Sequence, residues 1–294
     1  MRSCLRATIA LLASVLLVVA ASLPADATWS VVGVDPETGE VGVAVASCVE
    51  LGALSLDEGF ELVALAPGYG AGISQAAYSP EARIEIQRLL ELELSADAVV
   101  AGVSNATFDD DFELRQHGVV VIGEGAAGFT GSDNSDFAGD AQGPNVAAQG
   151  NLLVSSAVID DSIAAFANSG SSDDRSLAER LVDALEAGSQ AGGDGRCGEQ
   201  TALFAHVSVI DENGTRARPN VVDLTTWVER GDGANPVTEL ATLFRSGTTT
   251  VRPDPASVPA PAVPLWLVAS AAIVAALLCT AGVLVVRRIR RTRP

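Results

Sequence analysis

The chain has 294 residues, with 37 acidic and 18 basic side chains and a formal net charge of −19. Every basic residue is an arginine, and none forms a stripe outside the C-terminal tail, so the acidic surface repels phosphates and excludes a nucleic-acid binder. The two histidines, His117 and His206, lack neighbours at metal-ligand spacing, so neither a metal nor another cofactor is expected.

Residues 1–27 read as a signal peptide. Arg2 and Arg6 precede an apolar run from Ala7 to Ala21, and Ala25 and Ala27 form a small-x-small cleavage site. A cut after Ala27 makes Thr28 the first residue; a cut after Ala21 and an uncleaved anchor are the alternatives. Two valine-rich strands follow over 28–35 and 40–47, joined by a turn with Pro36 and Gly39. Residues 60–67 and 68–77 read as a second strand pair. Ser79 and Pro80 open a helix over 79–94, and a shorter helix covers 95–106.

Strands return at 113–123 and 126–132, and 142–153 reads as one strand ending in a Gly150–Asn151 turn. Apolar residues at helical spacing, among them Leu177, Leu181 and Leu185, mark helices over 155–169 and 176–190. Strands at 201–211 and 219–228 and a helix at 235–247 close the domain. Strands and helices come in separate blocks, which predicts an α+β fold of antiparallel sheets covered by helices.

Residues 248–262 form a proline-rich linker. Residues 263–286 carry no charge and have the length of a transmembrane helix, with Trp266 near one end. The tail, 287–294, holds five arginines, which stay on the cytoplasmic side. The domain over 28–247 is therefore expected outside the cell membrane, tethered by this one helix. The same order of proline, apolar and basic segments also fits a sorting tail cleaved after export. Without leader and tail, 11 basic and 36 acidic residues remain, a charge near −25. Cys4 lies in the leader and Cys279 in the helix. Cys48 and Cys197 remain in an oxidising compartment, where a disulfide is expected and two buried thiols are the alternative.

A terminal threonine carries a hydroxyl and an α-amine on one residue. The amine has an ordinary pKa of about 8, so its neutral form takes the hydroxyl proton while the oxygen attacks a carbonyl. A mid-chain amide nitrogen has no such basicity, which is why the cleavage point before Thr28 carries chemical information.

The stretches TWSVVGVDPETGEVGVAVAS, GISQAA, LRQHGVVV, FTGS, GPNVAAQGNLL and LAERLVDALEAGSQAGGDGR, in this order, resemble the bacterial domain of unknown function 1028 family. The resemblance runs from Thr28 to about Phe244. It implies an Ntn-hydrolase-like fold, a four-layer αββα sandwich of two antiparallel sheets. Many members begin Met-Thr-Phe-Ser, where loss of methionine exposes the threonine; here signal cleavage does the same for Thr28.

The first hairpin is also similar to the opening of proteasome-type subunits, and by position Ser47 and Cys48 fall where those subunits carry polar helpers. The chain departs from that pattern: its return strand from Val41 to Cys48 has no acid and the whole chain has no lysine. Where many members have Trp-Ala-Gly-His, Phe137 to Asp140 stand here. Gln149 and Asn151 lie in a family motif, either as contacts to an oxyanion or substrate or as turn residues. Asp194 and Arg196 lie in a glycine-rich loop, either lining the site or holding the loop shut as an ion pair. Asp35 is read as a turn cap. The expected activity is hydrolysis of an amide or similar acyl bond in a small-molecule or peptide substrate, with Thr28 as nucleophile and base. The rival is a non-catalytic binding or structural module. The oligomeric state is left open.

Overall fold

The computed structural model describes residues 28–50, 60–135, 137–169 and 175–253. The expected signal peptide, transmembrane helix, basic tail and most of the linker lie outside the described residues. Among the described residues no helix is long and apolar enough to cross a membrane. The described residues form an α+β fold with two sheets and five α-helices.

Strand β1 (Thr28–Asp35) and β2 (Glu40–Ser47) form an antiparallel hairpin. Asp35 caps its turn, accepting from the Glu37 amide at 2.9 Å, and Gly39 supplies the left-handed residue at φ 73°. Next come β3 (Val63–Ala66), β4 (Gly70–Ala76), α1 (Pro80–Glu91) and α2 (Ala96–Val103). Ser79 caps α1 by accepting from the Ala82 amide, and Pro80 occupies its first turn without losing a hydrogen bond. Then follow β5 (Arg115–Val121), β6 (Gly125–Thr130), β7 (Gly139–Gly143) and β8 (Val146–Asn151).

The helices α3 (Ala157–Ser169) and α4 (Leu177–Gln190) lead into β9 (Phe204–Ile210), β10 (Val222–Trp227), α5 (Pro236–Arg245) and β11 (Thr250–Val251). Residues 142–153, read above as a single strand, span a hairpin instead. Pro144 and Asn145 make its turn, with Asn145 at φ 63°, and Gly150 and Asn151 end the β8 ladder. The larger sheet also extends into the stretch read as linker, because Thr250 and Val251 pair in parallel with β10.

The seven-stranded sheet has the order β11-β10-β9-β2-β1-β8-β7, and the four-stranded sheet the order β3-β4-β5-β6. All pairings except β10 with β11 are antiparallel. Alternation along β1 explains its unbroken apolar run. Trp29 and Val31 face the core under α3, α4 and α5, whereas Val32 and Val34 face a second core shared with the smaller sheet. A third core joins the smaller sheet to α1 and α2. Strands β1 and β2 are buried on both faces, so they read as valine-rich runs rather than as an apolar–polar alternation.

Candidate functional site

Thr28 heads β1 in the middle of the larger sheet, opposite Ser47 on one side and Asn151 on the other. The period of two places its side chain on the same face as Val32, toward the smaller sheet. The residue is 3% exposed. Its nitrogen donates to Asn151 Oδ1 at 3.0 Å, and its carbonyl accepts from Gln75 Nε2 on β4 at 3.3 Å. Thr28 lines a narrow cleft between the sheets with a cavity volume of about 10 Å3, room for about one water molecule. Ser47 and Val49 flank Thr28 there, and Leu62, Ala76, Tyr78 and Phe204 form much of the remaining wall.

None of these lining side chains carries a charge. Burial pushes the Tyr78 phenol up, with the Glu61 carboxylate adding to the effect, so Tyr78 remains un-ionised at neutral pH; its hydroxyl donates to the Glu61 carbonyl at 2.9 Å. Two non-glycine residues in the left-handed region sit here as well. Ala76, at φ 70°, lines the cleft, and Leu152, at φ 53°, follows Asn151. Each such conformation costs on the order of 1–3 kcal/mol and persists where the surrounding structure fixes it.

Gln149 lies one pleat deeper than Asn151 and belongs to a buried network rather than to the cleft wall. Its Nε2 donates to Ser30 Oγ at 2.5 Å, and Ser30 Oγ donates in turn to Gln75 Oε1 at 2.5 Å. Gln75 Nε2 donates to Gln116 Oε1 at 2.7 Å. Gln116 Nε2 donates to Thr130 Oγ1 and to the Gly139 and Gly150 carbonyls, and Thr130 Oγ1 donates to Asp140 Oδ1 at 2.6 Å. This chain of side chains runs between the sheets and ends on the Thr28 carbonyl. Gly118 makes room for it, since a Cβ there would lie 1.9 Å from Gln149 Oε1.

Asp194 and Arg196 brace the chain behind Ser47. Asp194 is fully buried, and its Oδ2 accepts from the Cys48 amide at 2.8 Å and from Arg196 Nη2 at 2.9 Å. Cys48 and Cys197 form a disulfide, and Arg230 Nη2 donates to the Cys48 carbonyl at 3.1 Å. Of the site residues expected from sequence, Thr28, Ser47 and Asn151 thus come together. Cys48, Cys197, Asp194 and Arg196 form the clamp beside them, and Gln149 lies in the network beneath.

Sequence reasoning missed Gln75, Leu62, Tyr78 and Phe204. The signal available for Gln75 was a carboxamide on an inward-facing position of a strand otherwise made of glycine, alanine, isoleucine and one serine.

Both histidines lie away from the cleft lining. His117 faces the core under α1 and α2, stacked on Phe129, and neither ring nitrogen has a partner among the described residues. Burial, aided by the Arg115 charge, lowers its pKa to about 4. His206 is held by Thr225 Oγ1 at 2.8 Å and Ser208 Oγ at 2.5 Å and stacks on Phe60; burial, then the Arg252 charge, lowers its pKa to about 3. Among the described residues no three His, Cys, Asp or Glu side chains gather to hold a metal ion.

The model of a family of unknown function, DUF1028, matches residues 28–240. No curated protein matches the chain. The crystal structure of protein SPO2555 from Silicibacter pomeroyi, which carries the same family designation, is similar at a TM-score of 0.58 and 27% identity, covering 76% of this chain and 87% of that one.

Proposed function

Because the chain belongs to the DUF1028 family, whose function is unknown, we propose from its own residues that it is an exported, membrane-tethered hydrolase of amide or similar acyl bonds, with Thr28 as an N-terminal nucleophile. The observation that carries this reading is the setting of Thr28: buried at the head of a central strand, in a cleft, with its nitrogen hydrogen-bonded to Asn151 Oδ1. The family match also opens at Thr28, the residue that cleavage after Ala27 makes first. Three apolar cores between helices, sheet, sheet and helices support an αββα sandwich of the Ntn-hydrolase kind.

In this reading the neutral Thr28 amine removes the proton from Oγ1, which attacks the substrate carbonyl carbon. The resulting ammonium returns that proton to the leaving amine as the carbon–nitrogen bond breaks, and the acyl group stays on Thr28 as an ester. A water then gives its proton to the amine and attacks the ester, releasing the acid and restoring Oγ1–H. Asn151 is a neutral acceptor, so it orients the amine without the charge that would hold it protonated. Ser47, opposite Thr28, contributes a hydroxyl to the same end of the cleft.

The uncharged wall favours the second reading, a binding module on the same fold, because no other general base lines the cleft among the described residues. Sequencing the mature N-terminus and acylating the protein with a hydroxyl-reactive probe separates the two. Thr28→Ala is expected to lower labelling by at least about 10^3-fold and Thr28→Ser to keep most of it. A mature chain that begins elsewhere, or equal labelling of Thr28→Ala, rules the enzyme out.

A further inference from the structure

A residue inside a strand is held through the peptide groups on both its sides. Cleavage after Ala27 takes one of these from Thr28, so the orientation of the new terminus depends on what grips its nitrogen and its carbonyl. Carboxamides from different sheets grip both. Asn151, at the end of β8, accepts from the nitrogen at 3.0 Å, and Gln75 Nε2, on β4 of the smaller sheet, donates to the carbonyl at 3.3 Å.

The rest of the buried network decides which end of Gln75 faces Thr28. Gln116 Nε2 lies 3.0 Å from the Gly139 carbonyl and 2.9 Å from the Gly150 carbonyl. A carbonyl only accepts, so this end of Gln116 is its NH2 group. Gln116 Oε1 is left to accept, and the atom of Gln75 at 2.7 Å from it is therefore the Gln75 NH2 group. A reversed Gln75 would set two carbonyl oxygens against each other there. Ser30 agrees, because its hydroxyl accepts from Gln149 Nε2 and gives its proton to Gln75 Oε1. Backbone carbonyls of β7 and β8 thus fix, through Gln116, a donor aimed at Thr28. Gln75 and Gln116 are both buried, which strengthens these bonds.

We propose that Gln75 is a positioning residue for Thr28, keeping the terminal residue turned so that Oγ1 faces the substrate carbonyl with the amine in reach of its proton. The inference rests on Thr28 as nucleophile and goes beyond it by assigning a residue of the opposite sheet to its alignment. Gln75 touches no reacting atom. It acts on the Thr28 main chain, while Asn151 acts on the amine. A displacement of about 1 Å costs a reaction about 10^2-fold, so a grip on the carbonyl matters although it lies away from the bond being broken.

The test uses the full chain, exported from its own leader and purified in detergent, with p-nitrophenyl acetate as acyl donor. Thr28 Oγ1 bonds to the acetyl carbon, p-nitrophenolate leaves with the electrons of the broken bond, and the hydroxyl proton passes to the amine. Intact mass and peptide mapping place the acetyl group, and hydroxylamine, which removes an ester but not an amide, shows that the oxygen carries it. The limiting rate of p-nitrophenolate release and the half-saturating ester concentration are read for each protein. Gln75→Met keeps the bulk and loses the donor. Its limiting rate is expected to fall by about 10- to 100-fold, with the half-saturating concentration within about twofold of wild type. The acid limb of its pH profile stays in place, because no charge is added beside the amine. Thr130→Val breaks the far end of the network, leaves Gln116 on its two carbonyls, and is expected to keep the wild-type rate.

A role in core stability alone lowers the fraction of molecules that react and not their rate. Equal rates for wild type and Gln75→Met, or an equal fall in Thr130→Val, overturn the proposal. If Gln75→Met does not fold, Gln75→Asn, which keeps a carboxamide but draws it back from Thr28, is expected to show the same fall. Failure of both to fold assigns Gln75 to the core and also overturns the proposal. A wild type that takes no ester on Thr28 fails the nucleophile and the role of Gln75 with it. A labelled wild type whose rate Gln75→Met leaves alone fails Gln75 only.

Discussion

At Thr28 the decisive contact is a single hydrogen bond, from its nitrogen to Asn151 Oδ1 across 123 residues of sequence. In the proposed reading, a carboxamide there accepts from the amine without placing a charge beside it. Asn151→Asp puts an anion in its place, and a nearby anion favours the protonated amine. A protonated amine takes no proton from Oγ1. The acid limb of the labelling-rate profile is therefore expected to move to higher pH, by about one unit or more, with the plateau retained at alkaline pH. Titrating the rate of Thr28 acylation against pH measures this directly, and an unmoved limb shows that the amine is not the base. Gln149, two residues away on the same face, is expected to leave that limb in place because its carboxamide is tied to Ser30.

At the scale of an element, β5 carries a buried cost on one face. Its inward face gives Gln116 to the inter-sheet network, while His117 points into the apolar layer under α1 and α2 with both nitrogens unpartnered among the described residues. His206, on β9, is also held neutral by burial. In the unfolded chain each takes a proton at its ordinary 6.5, and in the folded chain only near about 4 and about 3.

Between those limits the unfolded state binds more protons, so the stability is fully present above 6.5 and is lost as pH falls toward the folded values. Each histidine removes up to about 1.4 kcal/mol per pH unit in that window. Denaturant unfolding is expected to show a loss of about 2–4 kcal/mol from these two groups between about pH 7 and about pH 5. The charged groups nearest His117 are Arg115 and Asp109, which are paired with each other, so their own contributions partly offset. His117→Leu removes the titrating ring and two unpartnered atoms, and its unfolding free energy is expected to fall less steeply over the same range. An identical slope in wild type and variant contradicts the assignment.

For the whole molecule, the Cys48–Cys197 disulfide ties the end of β2 to the loop before β9 across 149 residues. Cross-linking so long a loop restricts the unfolded chain, and disulfides of this kind contribute about 2–5 kcal/mol. The paired variant Cys48→Ser with Cys197→Ser is expected to lose about that much stability by thermal or chemical unfolding. Asp194 and Arg230 still hold the Cys48 backbone at both its amide and its carbonyl, so the variant is expected to keep Thr28 labelling in conditions where it remains folded. Labelling lost from a folded double variant assigns the disulfide a direct part in shaping the cleft.

Local chemistry made much of the architecture legible from the sequence. The β1–β2 hairpin follows from Asp35, Pro36 and Gly39, helix α1 from Ser79 and Pro80, and α4 from leucines at helical spacing, because turns, caps and amphipathic faces act over a few residues. The strand misread over 142–153 marks the limit of that range. Gly-Pro-Asn and Gly-Asn are both turn signals, and only pairing with β1 and β7 shows which one turns the chain. Thr28 was singled out by a cleavage pattern, whereas its cleft was not legible at all. Leu62, Gln75, Tyr78 and Phe204 reach it because two sheets pack face to face, and sequence periodicity gives the face of a strand but not the partner opposite it. The same packing separates Asn151 from Gln149. Both are amides on one face of β8, yet Gly118 on the smaller sheet closes over Gln149, while Asn151, at the strand's end, reaches the first residue of β1.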